Sequence, residues 1–246
     1  MPRITDNLES HGLQNDSFGY SAVGLDKLGA SEYTLVTIVC DRSGSVNDFK
    51  TELAACLKEI VNACRHSPRA DNLMIRLVMF GNDMEEIHGF KLLSNCNLAD
   101  YDNAVRIEGN TALFDAAANA VSATADWGRQ LTEQDFNVNA IVVCITDGDD
   151  NASTLGVGAV RSALSKATKN EALESLVSIL VAVNMTDPHM KDRLDSFHKE
   201  AGFTQFVAIN NANAKSLAKL AEFVSKSISA QSQALGTGSM SAPLTI

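Results

Sequence analysis

The sequence predicts an α/β fold: a doubly wound, mostly parallel central sheet with one antiparallel edge strand and helices on both faces. Three observations carry that expectation. β-branched apolar runs about eight residues long recur along the chain, continuous rather than alternating, as strands buried on both faces require. Between them lie longer stretches with apolar residues every three or four positions, the period of amphipathic helices that cover such a sheet. Once only, at Gly81-Asn82-Asp83, a tight turn replaces the helical crossover and joins two strands directly.

Residues 1–32 are polar, glycine-dotted and without a sustained period, so they read as an extension packed on the domain. Residues 33–40 (YTLVTIVC) form the first buried strand. From Val46 the period changes, and Phe49, Leu53, Leu57, Ile60, Val61 and Cys64 mark a helix that ends near Ser67-Pro68. Residues 73–80 form a second strand, and 85–90 a shorter antiparallel one at the edge. Residues 91–109 are irregular. A helix rich in alanine runs from Thr111 to about Gln130, and 140–146 is a strand ending at Asp147-Gly148-Asp149-Asp150-Asn151. A helix over about 156–171, a strand over 176–183, a helix over about 188–201 and a strand over 204–209 follow. The last helix starts near Asn213 and aligns Leu217, Leu220, Val224 and Ile228. The Ser-rich segment 225–232 reads as its fraying end. One domain over 33–231 results, flanked by the 1–32 extension and a flexible tail over 232–246.

Composition narrows the function. The 246 residues are 45% apolar and 20% charged, enough for a sizeable core and against global disorder. The net charge of −10 disfavours nucleic acid and anionic membranes as partners, since both need clustered positive charge. No run is long enough to span a bilayer, and MPRITDNLES lacks the apolar core of a signal peptide. Five cysteines, an odd number without CxxC spacing, fit a reduced cytoplasmic setting and argue against structural zinc. The histidines (His11, His66, His88, His189, His198) follow no metal or triad pattern and read as surface or boundary residues.

Ligands of doubly wound sheets bind at the carboxyl ends of the strands. Three segments leave those ends with short oxygen-bearing side chains beside glycine: Asp41-Arg42-Ser43-Gly44-Ser45, Gly109-Asn110-Thr111 and Thr146-Asp147-Gly148. Asp41, Ser43, Ser45, Thr111 and Asp147 offer two carboxylates and three hydroxyls with no soft donor, a set suited to Mg²⁺, Mn²⁺ or Ca²⁺. Alternation along an extended exit points Asp41, Ser43 and Ser45 the same way, with Gly44 letting the chain turn. Ser43 and Ser45 as plain helix caps remain the alternative. Asp149 and Asp150 read as a solvated acidic turn, with loop bracing as their other role.

Taken together, these segments resemble the metal-ion-dependent adhesion site of von Willebrand factor A domains, DxSxS followed by a distant Thr and a distant Asp in a TDG turn. All five positions match, over roughly 33–231. The 33–38 run and the Ser-rich 223–232 stretch are also similar to stand-alone bacterial members of the tellurite-resistance type. The resemblance implies a divalent ion, most simply Mg²⁺, whose coordination an Asp or Glu carboxylate of a protein partner completes. A kinase, phosphatase or ATPase is the associate that the bacterial resemblance implies. Two other classes stand beside this reading. In one, the metal only braces the loops of a structural or assembly protein. In the other, the chain is a metal-dependent hydrolase. A phosphatase of the haloacid-dehalogenase type needs a carboxylate where Ser43 stands, and GxxxxGK[ST], GxGxxG and GxSxG are all missing, so the expectation is a non-enzyme.

Overall fold

In the computed structural model, which describes residues 8–14, 16–169 and 172–237, eight strands form one sheet with five helices around it. The strands are β1 (Leu8–His11), β2 (Tyr20–Val23), β3 (Glu32–Asp41), β4 (Leu73–Phe80), β5 (Met84–Leu92), β6 (Asn137–Thr146), β7 (Leu176–Ala182) and β8 (Gln205–Ala208). The helices are α1 (Lys50–Cys64), α2 (Leu113–Thr132), α3 (Val157–Lys169), α4 (Pro188–Ala201) and α5 (Ala214–Thr237). Spatial order is β1-β2-β5-β4-β3-β6-β7-β8. The fold class is the one expected. β4, β3, β6, β7 and β8 run parallel, and β5 returns antiparallel to β4 through the 81–83 turn.

β3 and β6 occupy the centre and are buried on both faces, which is why their sequences lack alternation. One face packs Leu53, Leu57, Ile60 and Val61 of α1 together with Leu217, Leu220, Val224 and Ile228 of α5. The other packs Leu113, Ala117 and Val121 of α2, with Leu164 of α3 and Leu194 and Phe197 of α4. The many alanines of α2 let that helix lie close on the sheet.

Four details differ from the sequence reading. The N-terminal extension contains two strands: β2 pairs parallel with β5 through Ala22↔Phe90, and β1 pairs antiparallel with β2. β5 is therefore covered, and β1 is the outermost strand on that side. Four-residue strands show too little periodicity to be read from sequence. The second detail is the end of α5, which continues through Thr237, so residues 232–237 are helical rather than tail. Leu235 is buried there and Ser232 is completely buried, its hydroxyl accepting from Arg69 Nε at 3.2 Å. Residues 238–246 of the expected tail lie outside the described residues, as do 1–7 of the extension and 170–171 at the expected end of α3. Third, the Ser-rich segment packs inward; the Ser227 hydroxyl donates to the Phe223 carbonyl at 2.9 Å. Fourth, His88 is a core residue, 2% exposed and 2.7 Å from the Tyr101 hydroxyl.

Candidate metal centre

β3 and β6 end side by side, with Cys40 registered against Ile145. The two strand exits therefore carry Asp41 and Thr146-Asp147 to one end of the sheet. Asp41 is 1% exposed. Its Oδ1 accepts the Ser43 N–H at 2.7 Å, and its Oδ2 accepts the Thr146 hydroxyl at 2.7 Å. Thr146 is thus the residue that bolts the two exits together, and its position just before Asp147 carried no such message in the sequence.

Beyond Ser43 the chain enters a 3-10 turn, Gly44–Phe49, which leads into α1. The turn brings the Ser43 and Ser45 hydroxyls within 3.1 Å of each other. Ser45 donates to Asp147 Oδ1 at 2.7 Å, so its single proton is committed and Ser43 supplies the hydrogen of the serine pair. Neither serine caps the following helix: Ser43 stands at the N-cap position without a side-chain bond to the backbone. The same-side placement of Asp41, Ser43 and Ser45 is thus produced by a tight turn and not by extended alternation. Gly44 is not the permissive residue either. A β-carbon there would be 3.8 Å from its nearest neighbour, the Gly109 carbonyl, whereas Gly109 itself holds φ +62 and packs on Asn82.

Thr111 arrives from a third direction. The 104–111 segment lies against the β3 exit, with Glu108 N–H donating to the Arg42 carbonyl at 2.8 Å and Gly44 N–H to the Gly109 carbonyl at 3.1 Å. The Thr111 hydroxyl sits beside Gly148, 3.8 Å from where a β-carbon on that glycine would be. Its N–H donates to Asn151 Oδ1 at 2.8 Å, and its carbonyl accepts from Asn151 and Ala152 at 3.0 and 3.2 Å. All five sequence-derived residues therefore gather at one place.

Several residues around them were not legible in the sequence. Arg42, 5% exposed, pairs with Glu85 and Glu108, each at 2.5 Å, and so clamps β5 and the 104–111 segment to the β3 exit. Asp150 is no solvated turn residue: its Oδ1 accepts from Phe114 N–H at 3.2 Å and from the Ser153 hydroxyl at 2.5 Å. Asp115 returns the bond, accepting from Thr154 and Leu155 N–H groups at 2.9 and 2.8 Å. Asp149 pairs with Arg193 of α4 at 3.3 Å. The loop after β6 is thereby stitched to the start of α2.

The electrostatics are unusual. Burial pushes the Asp41 carboxyl up to about 6, with the neighbouring Asp147 charge adding to the effect. Asp147 is also raised, again chiefly by burial. Among the described residues no lysine or arginine pairs with either carboxylate, because Arg42 turns away to Glu85 and Glu108. No group of three His, Cys, Asp or Glu gathers among the described residues. Ser45 is exposed and Asp147 half-buried, so the site opens to solvent on that side. A cleft of about 830 Å³ lies elsewhere, between residues 10–14, α2 and α3.

The family model for the von Willebrand factor type A domain matches residues 36–223. No curated protein matches the chain by sequence. Among solved structures, a mutant of the PilB minor pilin from Streptococcus sanguinis is similar at 14% identity and a TM-score of 0.61, over 87% of this chain and 65% of that one. The pilus adhesin SpaC from Lactobacillus rhamnosus GG is similar at 9% identity and a TM-score of 0.59, over 83% and 31%. Proximal thread matrix protein 1 from the mussel byssus, with a zinc-occupied MIDAS motif, is similar at 21% identity and a TM-score of 0.52, over 81% and 46%. The chain spans less than two thirds of each of these proteins, and at such identities the likeness is one of fold.

Proposed function

The chain belongs to the von Willebrand factor type A domain family, and on that premise we propose that it is a protein-recognition module in which a divalent ion joins Asp41, Ser43, Ser45, Thr111 and Asp147 to an Asp or Glu of a partner. Domains of this family commonly mediate protein interactions and metal-dependent binding. The observation that carries the reading is a carboxylate, Asp41, buried to 1% exposure without a cationic side chain beside it among the described residues, and linked to a second carboxylate through the Ser43 N–H and then the Ser43 and Ser45 hydroxyls. Buried charges are ordinarily paired or coordinate a metal. The all-oxygen donor set favours Mg²⁺, with Mn²⁺ or Ca²⁺ as alternatives. The zinc in the MIDAS motif of the byssus protein supports a divalent ion in this fold.

An ion held there supplies positive charge at the exposed end of the site, where Ser45 faces solvent. Two carboxylates balance a divalent charge, but five donors would leave one position of a six-coordinate ion such as Mg²⁺ free for a partner carboxylate. Bracing alone is the weaker reading. The three loops are already tied by Ser45–Asp147, Thr111–Asn151 and Asp150–Phe114 bonds, without help from an ion. The free, buried cysteines support a reducing compartment. Among the described residues no helix is long and apolar enough to cross a membrane.

The test is a pull-down from native lysate with Mg²⁺, with EDTA, and with Asp41→Ala in Mg²⁺. The expected result is a prey captured only by the unaltered chain in Mg²⁺. Equal capture under all three conditions rejects the metal bridge.

A further inference from the structure

A second surface on the same end of the molecule has the opposite charge to the rest of it. Between α1 and the 102–106 turn lies an open cleft of about 730 Å³. Lys50, Lys58 and Arg106 line it, with Asp102 as the lone carboxylate of the lining. Lys58 is paired to Asp102 at 2.6 Å. Lys50 reaches only the Asn47 side-chain oxygen, at 3.3 Å, and Arg106 makes no side-chain hydrogen bond or ion pair among the described residues. In a chain of net charge −10, a cleft with two uncommitted cations is a local reversal.

Its position ties it to the metal centre. α1 follows β3 directly, so Lys50 begins the helix at the carboxyl end of the sheet, just after the turn that carries Ser43 and Ser45. Arg106 precedes Glu108 and Gly109, the residues that bind the backbone of Arg42 and Gly44. Nearby Glu108 is committed to Arg42. Along α1, Thr51, Ala54, Ala55 and Lys58 recur at helical spacing, and the two alanines leave a trough. Lys50 and Lys58 are separated by about 12 Å along the helix axis, at about 1.5 Å per residue. An extended chain covers that distance in roughly four residues.

We propose that this cleft receives an acidic protein segment, a run of about four residues rich in Glu or Asp adjoining the carboxylate that the metal centre takes. The assignment rests on the metal-bridge reading for its continuity with the site and on charge complementarity for its occupant. A protein segment fits better than a nucleic acid because the positive patch is short and the surrounding surface is acidic. A long polyanion would be repelled on either side of it.

The experiment uses the full chain and a fluorescein-labelled peptide, Gly-Ser-Asp-Gly-Glu-Glu-Glu-Glu-Gly, read by anisotropy in Mg²⁺ at low salt. A matched peptide carries Gln in place of the four Glu. The expected result is that Lys50→Glu with Arg106→Glu weakens the acidic peptide by about tenfold or more. The variant should leave the Gln peptide and the melting temperature unchanged, since both residues are exposed. The acidic peptide's affinity also falls as salt rises, and more steeply than that of the Gln peptide. Equal affinity of variant and unaltered chain overturns the proposal. So does failure of the unaltered chain to bind the acidic peptide, or tighter capture of a single-stranded oligonucleotide of equal charge. Asp41→Ala and EDTA separate the two claims. Binding that survives both yet falls on charge reversal removes the metal bridge and keeps the cleft; the converse pattern keeps the bridge and removes the cleft.

Discussion

Asp41 is a buried carboxylate with hydrogen-bond donors but no counter-charge, and that makes its contribution to stability dependent on pH. Its carboxyl is raised from 3.8 to about 6 by burial first and the Asp147 charge last. A folded value above the unfolded one means that the metal-free native state holds the extra proton between those values. The stabilising contribution is therefore complete below about pH 4 and is lost as pH rises through about 6. Asp41→Asn should raise the stability of the chelated protein at pH 7 by ~1–2 kcal/mol. The gain should vanish near pH 4, and Mg²⁺ is expected to raise the melting temperature of the unaltered chain but not that of the variant. Thermal melts in EDTA across that range decide it; a pH-independent difference contradicts the account. At this scale the five candidate residues, which the structure places near one another, were legible because DxSxS, a Thr at a helix start and a TDG turn are local patterns at strand ends. Thr146, Arg42 and Asn151 were not. Each acts through a partner distant in sequence (Thr146 reaches Asp41 and Arg42 reaches Glu85), and no local pattern records such a pairing.

At the scale of elements, α5 shows why its serines and glutamine are small or polar on an inward face. Asn139 of β6 donates to the Gln231 carbonyl at 2.6 Å, and the Gln231 amide donates to the Ala140 carbonyl at 3.1 Å and the Ser175 hydroxyl at 2.8 Å. Thr34 donates to Asn139 at 2.7 Å, so the last turns of α5 are locked to the amino ends of the two central strands. Arg69 adds Glu32 and Ser232 to the lock. Gln231→Ala should cost about 1–3 kcal/mol by leaving buried groups unpaired, whereas Lys226→Ala, whose Glu222 pair is exposed, should cost under about 0.5 kcal/mol. Urea unfolding of the two variants compares them, and equal losses would deny the lock. Strands and helices with strong periods were legible here. The end of α5 was not, because its polar inward face imitates a fraying terminus.

For the molecule as a whole, the N-terminal segment completes a polar layer under the sheet's antiparallel side. Arg76, fully buried, donates to Glu86 at 2.7 Å and Asn119 at 3.1 Å; Asn119 in turn donates to Asp16 at 2.8 Å and the Phe18 carbonyl at 2.7 Å. Ser21 donates to Glu86 at 2.5 Å. Removing residues 1–24 would strip these partners and expose β5 as an unprotected edge. The truncated chain should melt about 5 °C lower or more and scatter light on concentration; an unchanged melting temperature would show the extension to be dispensable. The parallel core was plain in the sequence, whereas these strands were hidden by brevity. The central pairing has a consequence in time. β3 is made early in the chain, yet its neighbour β6 begins at Asn137, after two intervening strands (β4, β5) and two helices (α1, α2) have been synthesised. Loop closure across such a distance is slow relative to local helix formation. A chain still emerging from the ribosome can hold Asp41 and both serines without Asp147, so the five residues of the proposed site come together only once β6 has docked. If the site takes a cation as proposed, its capture would report that the core has closed.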